Sequence, residues 1–391
     1  MDAKVWLAQL SIAFGVAYSV HFAKKRIARS RCKHKNGLSP EIPCVPPRKA
    51  IASLQNEDSD CAPLQSVTVR VPATTANMGP GFDTIGMALD IWNEIKVEIL
   101  RDCSENTPQF QLSHEGEGAD ELPTNDSNLI IVGFRAAYKA VYTPLPSHVR
   151  IHSKNLIPFA RGLGSSSAGI VGGLIAGLAL SGKRLPVRGQ EKLLQLASGI
   201  EGHPDNVAPA IYGGLQLGIF AENRWYSSRV QIPDGLQCVV FIPDTTGPTS
   251  IARAILPGTV ARQDAVYNIG RAALLINAFR SGNLDELKYA TQDSLHQPQR
   301  GESQYPHLYP MVQAALVAGA HCCFLSGAGP TILAITSGRS GDIFTQKLGE
   351  RQESQVADAM RQTAASMNIS GCVVITTPEH NGAGISDFVR S

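Results

Sequence analysis

Three short segments of this chain gather the residue types that handle phosphates and small polar ligands. The first is PFARGLGSSSA at 158–168, between a strand-like and a helix-like stretch. A phosphate needs converging backbone N–H donors. Glycines allow that close approach, and a helix beginning directly after the loop adds the positive end of its dipole. Serine hydroxyls supply further donors, or an oxygen ligand for Mg2+. The loop is neither a Walker A motif, since no Gly-Lys-Ser/Thr ends it, nor a GxGxxG fingerprint. Taken alone, it reads equally as a simple turn. The second segment, PATTANMGPGFD at 72–83, joins two strands. Its Asn77 amide and Asp83 carboxylate stand among small residues, placed either to fix a ligand's amine or hydroxyl or to shape a wide hairpin loop through Asx-turns. The third, SGAGPT at 326–331, is another N–H-rich turn and by itself a hairpin connection.

The elements that must position these segments are read from periodicity. Val67, Val69 and Val71 alternate with Thr68 and Arg70, which predicts a strand over 66–71 that Pro72 ends. A bent strand or strand pair is expected over 85–100, a helix over 127–142, a strand over 149–155 and a small-residue helix over 164–180. A helix over 191–200 follows, then strands over 212–220 and 237–242 around a turn-rich stretch at 222–235. The second half offers helices at 261–281, 284–291, 311–318 and 353–365, with strands at 322–325, 331–336 and a closing one at 372–376. Strands and helices mixed without regular βαβ alternation predict an α+β fold, not a doubly wound sheet. No internal repeat is visible.

At 391 residues the chain exceeds one compact core and predicts two domains, or one with appendages. A hydrophobic content of 43% against 17% charged excludes a disordered protein. The net charge of +2 hides an asymmetry: ten Lys/Arg and five Asp/Glu fall within residues 1–60, leaving 25 against 28 in the body. The body is mildly acidic, so no nucleic-acid partner is expected. The eight cysteines include no CxxC, and they read as small core hydrophobes in a reducing compartment. Residues 5–23 are apolar except for Gln9, Ser11, Ser19 and His21, just long enough to span a bilayer, and a basic, acid-free run follows. Three readings stand: an anchor with its basic flank on the cytoplasmic side, a plastid transit peptide behind an apolar leader, or a tail. Domains are expected at 66–222 and 236–391 behind a leader and linker at 1–65.

In that order the three segments resemble the GHMP family of small-molecule kinases. The resemblance runs from about Ser66 to the C-terminus. It extends to EGHPDNVAP at 201–209, TSIAR at 249–253 and HQPQR at 296–300, which point within the family to its homoserine kinases. It implies the two-domain GHMP fold, a ribosomal protein S5 domain 2-like N-terminal domain and a ferredoxin-like C-terminal one, acting as a homodimer on ATP, Mg2+ and L-homoserine. ATP phosphates are expected on Pro158, Arg161, Gly162, Leu163, Gly164, Ser165, Ser166, Ser167 and Ala168, and Mg2+ on Ser166 and Glu201. Homoserine is expected on Asn77, Asp83, His203, Asp205, Thr249, Arg253, Arg300 and Gly327. Arg253 and Arg300 would fork its carboxylate, and Asp205, Asn77 and Arg253 would carry the catalytic role. Gln299 and Ser167 depart from residues common in the family.

Overall fold

A computed structural model describes residues 64–390, apart from 102, 105, 184–188 and 338–350. The leader, with its apolar stretch at 5–23, lies outside the described residues. Two sheets organise the rest. The first has seven strands: β1 (Leu64–Asn77), β2 (Gly81–Leu100), β3 (Phe110–Gly116), β4 (His148–Asn155), β5 (Leu215–Ala221), β6 (Arg224–Val230) and β11 (Gly384–Arg390). Its main path runs β11-β1-β2-β4-β3, and β5 pairs with β2 and β6. The second sheet holds β7 (Leu236–Pro243), β8 (Cys322–Leu325), β9 (Ile332–Ser337) and β10 (Gly371–Thr376) in the order β10-β7-β9-β8, every pair antiparallel. With helices between β7 and β8 and between β9 and β10, this is the split βαβ arrangement of a ferredoxin-like domain.

Against the first sheet pack α1 (Leu129–Ala140) and α2 (Ser165–Leu180), then α3 (Gly189–Glu201) and α4 (Val207–Tyr212). Helix α2 lies close to β1 and α1 because it is built from small residues. A Cβ on Gly173 would strike the backbone of Ile130, and one on Gly172 the side chain of Ile95. Asn128 caps α1, its side chain accepting from the Ile130 N–H at 2.9 Å. The second half carries α5 (Thr249–Ala254), α6 (Arg262–Ser281), a 3-10 turn at Leu284–Glu286 running into α7 (Leu287–Ala290), and α8 (Gln297–Ser303). Helices α9 (Leu308–Val317) and α10 (Gln352–Ser366) pack together against the second sheet.

The α+β expectation holds, and several details change. Pro72 does not end the first strand. It pairs with Trp92 at a register shift, after which β1 continues to Asn77. A bulge accommodates the missing N–H while the strand bends. The loop read as wide is therefore a tight turn at 78–80. The stretch at 222–235 contains β6, paired along its length with β5. The chain does not close at 376, because β11 returns to pair with β1. The last strand thus belongs to the first sheet, not to the expected domain at 236–391. Among the described residues, no helix is long and apolar enough to cross a membrane. Cys238, Cys322 and Cys323 are buried, and burial raises their thiol pKa values, that of Cys238 to about 12.

Candidate active site

The loop before α2 forms the centre of a cleft of about 310 Å³. Gly164 takes a left-handed conformation at φ 74° and no side chain caps the helix. The first helical bond is Ala168 N to Gly164 O at 2.9 Å, so the N–H groups of residues 165–167 have no partner within the helix. No acidic residue stands in that first turn to neutralise the dipole. Gly162, at φ 78°, touches the turn at 326–329. A Cβ there would collide with the Ser326 carbonyl oxygen, and Ser326 Oγ donates to Gly162 O at 2.7 Å. Thr74 N also donates to Leu163 O at 3.1 Å. The three glycine-rich segments found in the sequence are thus one assembly.

The β1–β2 connection supplies a second part of the cleft wall. Asn77 and Asp83 both adopt positive φ, at 65° and 57°. The Asp83 N–H donates to Asn77 Oδ1 at 3.0 Å, and Asn77 Nδ2 donates to Gly327 O at 2.8 Å. Arg253, on α5, reaches Asp83 with both arms, Nη1 to Oδ2 at 3.0 Å and Nη2 to Oδ1 at 2.5 Å. That ion pair raises the Arg253 pKa against the opposing effect of burial. Arg300, on α8, is 1% exposed. Its Nε donates to Ala252 O at 3.1 Å, and Nη1 donates to His296 Nδ1 and Gly327 O, each at 3.1 Å. Nη2 is left without a protein acceptor among the described residues, on a side chain that borders the cleft. Burial lowers the Arg300 pKa to about 10, well within the range of a permanent cation at neutral pH. His296 donates from Nε2 to Gly79 O at 2.8 Å, and burial lowers its pKa, so it stands neutral with Nδ1 accepting.

His203, Asp205, Asn206 and Glu201 complete this part of the cleft wall. His203 Nδ1 makes a short hydrogen bond with Asp205 Oδ1. Burial opposes protonation of His203, but the bond to Asp205 and the charges of Asp205 and Asp83 outweigh it and raise the pKa. Thr74 Oγ1 donates to Asn206 Oδ1 at 2.8 Å, and Asn206 Nδ2 approaches Asp205 at 3.4 Å. Ser166 Oγ donates to Glu201 Oε1 at 2.6 Å.

The cleft is bordered by Asn77, Asp83, Arg161, Gly162, Leu163, Gly164, Ser165, Ser166, Glu201, His203, Asp205, Thr249, Arg253, Arg300 and Gly327. Pro158, Ser167 and Ala168 do not border it. Ser167 and Ala168 sit on the core face of α2, fully buried, and Ser167 Oγ has no hydrogen-bond partner. Arg161 borders the cleft but its guanidinium is engaged elsewhere. Nε donates to Pro243 O and Nη2 to Asp244 O, both at 2.9 Å, which ties the loop to the end of β7. The sequence reading missed the polar wall of Asn93, His114, Asn128 and Asn155. Asn128 was discoverable as the capping residue before an apolar helical run. His114 and the Asn93 to Asn155 pair, bonded at 3.2 Å across 62 residues, carry no local pattern.

Two groups of side chains could offer ligands to a cation. Asp83, His203 and Asp205 converge within 4.8 Å, but both Asp83 oxygens are taken by a guanidinium, which would repel a metal ion. Ser166 and Glu201 instead offer a hydroxyl and a carboxylate beside the open N–H groups of α2, the hard-oxygen donor type that Mg2+ takes together with phosphate.

A fold of this kind, with a glycine-serine loop at a helix N-terminus facing paired charges, is that of a small-molecule kinase. Family models describe residues 128–214 as the GHMP kinases N-terminal domain and 275–366 as the GHMP kinases C-terminal domain. The homoserine kinase of Caldanaerobacter subterraneus subsp. tengcongensis is 40% identical over 312 residues, 80% of this chain and 96% of that protein. That of Moorella thermoacetica is 43% identical over 271 residues, 69% of this chain and 88% of its own. Among solved structures, homoserine kinase from Cytophaga hutchinsonii superposes with a TM-score of 0.70 at 25% identity, over 82% of this chain and 97% of that one. Mevalonate kinase of L. major, at 14% identity and a TM-score of 0.60, covers 82% of this chain and 99% of its own, and shares the fold. The chain belongs to the homoserine kinase branch of the GHMP kinase family.

Proposed function

We propose that this enzyme transfers the γ-phosphoryl group of ATP to the hydroxyl of L-homoserine, giving O-phospho-L-homoserine and ADP for threonine biosynthesis. The observation that carries this reading is the Arg253 to Asp83 pair on the wall of the same cleft as the open helix terminus. An amino acid's ammonium and carboxylate are the same two charges in reverse. Such a zwitterion docks beside the pair with each charge next to its opposite, whereas a neutral sugar gains no charge contact there and a mevalonate-type acid gains only one.

In this reading the homoserine carboxylate lies against Arg253 and the free Nη2 of Arg300, and its ammonium lies near Asp83 and Asn77. Thr249, one helical turn before Arg253, adds a hydroxyl at the rim. The ATP phosphates rest on the N–H groups of residues 165–167, and Asn93, His114, Asn128 and Asn155 offer donors and acceptors for base and ribose. Ser166 and Glu201 would hold Mg2+, which supplies neutralisation of phosphate charge when bound. The homoserine oxygen attacks the γ-phosphorus in line. The bond from that phosphorus to the β,γ-bridging oxygen breaks with its electron pair remaining on ADP, and the hydroxyl proton is released. Such a loose transition state asks chiefly for positioning and charge neutralisation. Asp205, 3% exposed and held by His203 and Asn206, is suited to orient the hydroxyl. Incubation with ATP, Mg2+ and homoserine, followed by 31P NMR, tests the reaction. A new phosphomonoester coupled to a CH2 group supports it, and release of inorganic phosphate alone contradicts it.

The acid-poor basic run after residue 23 supports a plastid address for residues 1–60, with possession of a membrane anchor as the competing outcome. Imaging a fusion of residues 1–60 to a fluorescent protein distinguishes them. A homodimer is the assembly that the resemblance implies, and sedimentation equilibrium tests it.

A further inference from the structure

The Phe82 ring lies within reach of two guanidinium groups. Arg253 Cζ lies 5.4 Å from its ring centroid and Arg300 Cζ 5.6 Å, both inside the range of a cation–π contact. The His296 ring packs on it at 5.4 Å with an interplanar angle of 36°. Phe82 is also the immediate neighbour of Asp83, so the backbone that presents the carboxylate to Arg253 presents the aromatic ring as well. Both cations have other fixed partners: Arg253 has Asp83, and Arg300 has Ala252 O, His296 and Gly327 O. Two like charges converging on one end of a small cleft repel each other. An aliphatic side chain in its place would fill space without compensating that repulsion. An aromatic ring adds its electron-rich face, and so attracts the cations that lie near it.

We propose that Phe82 is a positioning residue for carboxylate recognition: it sets the spacing of Arg253 and Arg300 so that one carboxylate can bridge them, and it thereby selects amino-acid over simple amino-alcohol acceptors. The proposal rests on the reading of Arg253 and Arg300 as the carboxylate site. It predicts an effect of the ring's electrostatics and not of its bulk alone.

The test uses the full chain with Phe82→Leu, Phe82→Tyr and incorporation of pentafluorophenylalanine at position 82, assayed with homoserine and with 3-amino-1-propanol, which lacks the carboxylate. Phe82→Leu and the fluorinated ring are expected to raise KM for homoserine by about three- to tenfold, with a smaller change in KM for ATP. Both are expected to narrow the preference for homoserine over 3-amino-1-propanol by the same factor, and Phe82→Tyr is expected to keep the wild-type preference. If Phe82→Leu fails to fold, the fluorinated ring, which keeps the shape and reverses the quadrupole, decides the matter. An unchanged homoserine preference with that ring, or equal changes in KM for ATP and homoserine, overturns the role of Phe82. A wild-type enzyme showing no preference for homoserine over 3-amino-1-propanol overturns instead the carboxylate site on which the proposal rests.

Discussion

Arg253 holds Asp83 through both carboxylate oxygens, at 3.0 and 2.5 Å, across 170 residues of sequence. The pair joins α5 of the second half to the β1–β2 turn of the first, and it stands at the end of the cleft where the acceptor substrate is proposed to bind. Removing the guanidinium also leaves Asp83 half-buried without its counter-ion. Arg253→Ala is therefore expected to raise KM for homoserine about ten- to hundredfold, in line with loss of a charge-assisted hydrogen bond. KM for ATP should change far less. Arg253→Lys keeps the charge but not the fork and should recover part of the loss. Steady-state kinetics with each substrate varied in turn checks this, and equal effects on both KM values would contradict the assignment.

Gly162 and Gly199 provide a matched pair. Alanine at Gly162 would need φ 78° and would drive its Cβ into the Ser326 carbonyl, whereas Gly199 lies in α3 with open space around it. Gly162→Ala should destabilise the protein by about 1–3 kcal/mol and impair activity. Gly199→Ala should stabilise it by about 0.5–1 kcal/mol through helix propensity. Urea denaturation followed by circular dichroism distinguishes the two.

The His203 to Asp205 bond gives a pH dependence of defined sign. The folded-state pKa of His203 is raised above its ordinary 6.5, so the folded state binds this proton more tightly than the unfolded state does. The resulting stability is complete below pH 6.5 and is lost as pH rises through the raised value. The stability difference between wild type and His203→Gln should shrink over that interval. Denaturation midpoints measured at intervals from pH 5.5 to about 8.5 would show it, and a difference that grows with pH would contradict the assignment.

Ser166 and Glu201, bonded at 2.6 Å, are the proposed Mg2+ ligands. Ser166→Ala and Glu201→Gln should each raise the Mg2+ concentration for half-maximal activity at fixed ATP by about tenfold or more. Asp83→Asn should leave that Mg2+ concentration largely unchanged while weakening homoserine binding, because Asp83 is committed to Arg253. Removal of free Mg2+ by EDTA should abolish turnover of the wild type.

Local chemistry was the legible part of this sequence. The glycines and serines at 162–166 announce an N–H-rich loop because each acts on its own backbone, and the valine alternation at 67–71 announces a strand for the same reason. Pairings over long distances were not legible. Nothing near Arg161 says that it will donate to Pro243 and Asp244, and so the sequence reading placed it on phosphate. An arginine is usually a surface residue, yet Arg300 is almost wholly buried, its Nε and Nη1 held by His296 and two carbonyls. Strand β6 was hidden by turn-rich composition, and β11 by the distance of its partner β1. The side chains of Ser167 and Ala168 turn away from the cleft on helical geometry: the loop ends at Gly164, and the third and fourth residues of α2 face the core, which leaves only the Ser167 backbone N–H for a phosphate.

The central claim is that the paired charges of Asp83 and Arg253 serve a zwitterionic acceptor at the phosphoryl-transfer site. It is tested most directly by ADP release, coupled to NADH oxidation, with homoserine, mevalonate and galactose compared at equal concentration. Turnover is expected to depend on homoserine, with mevalonate and galactose far weaker. Equal or greater turnover with mevalonate or galactose, or ATP binding without turnover on any of the three, would contradict it.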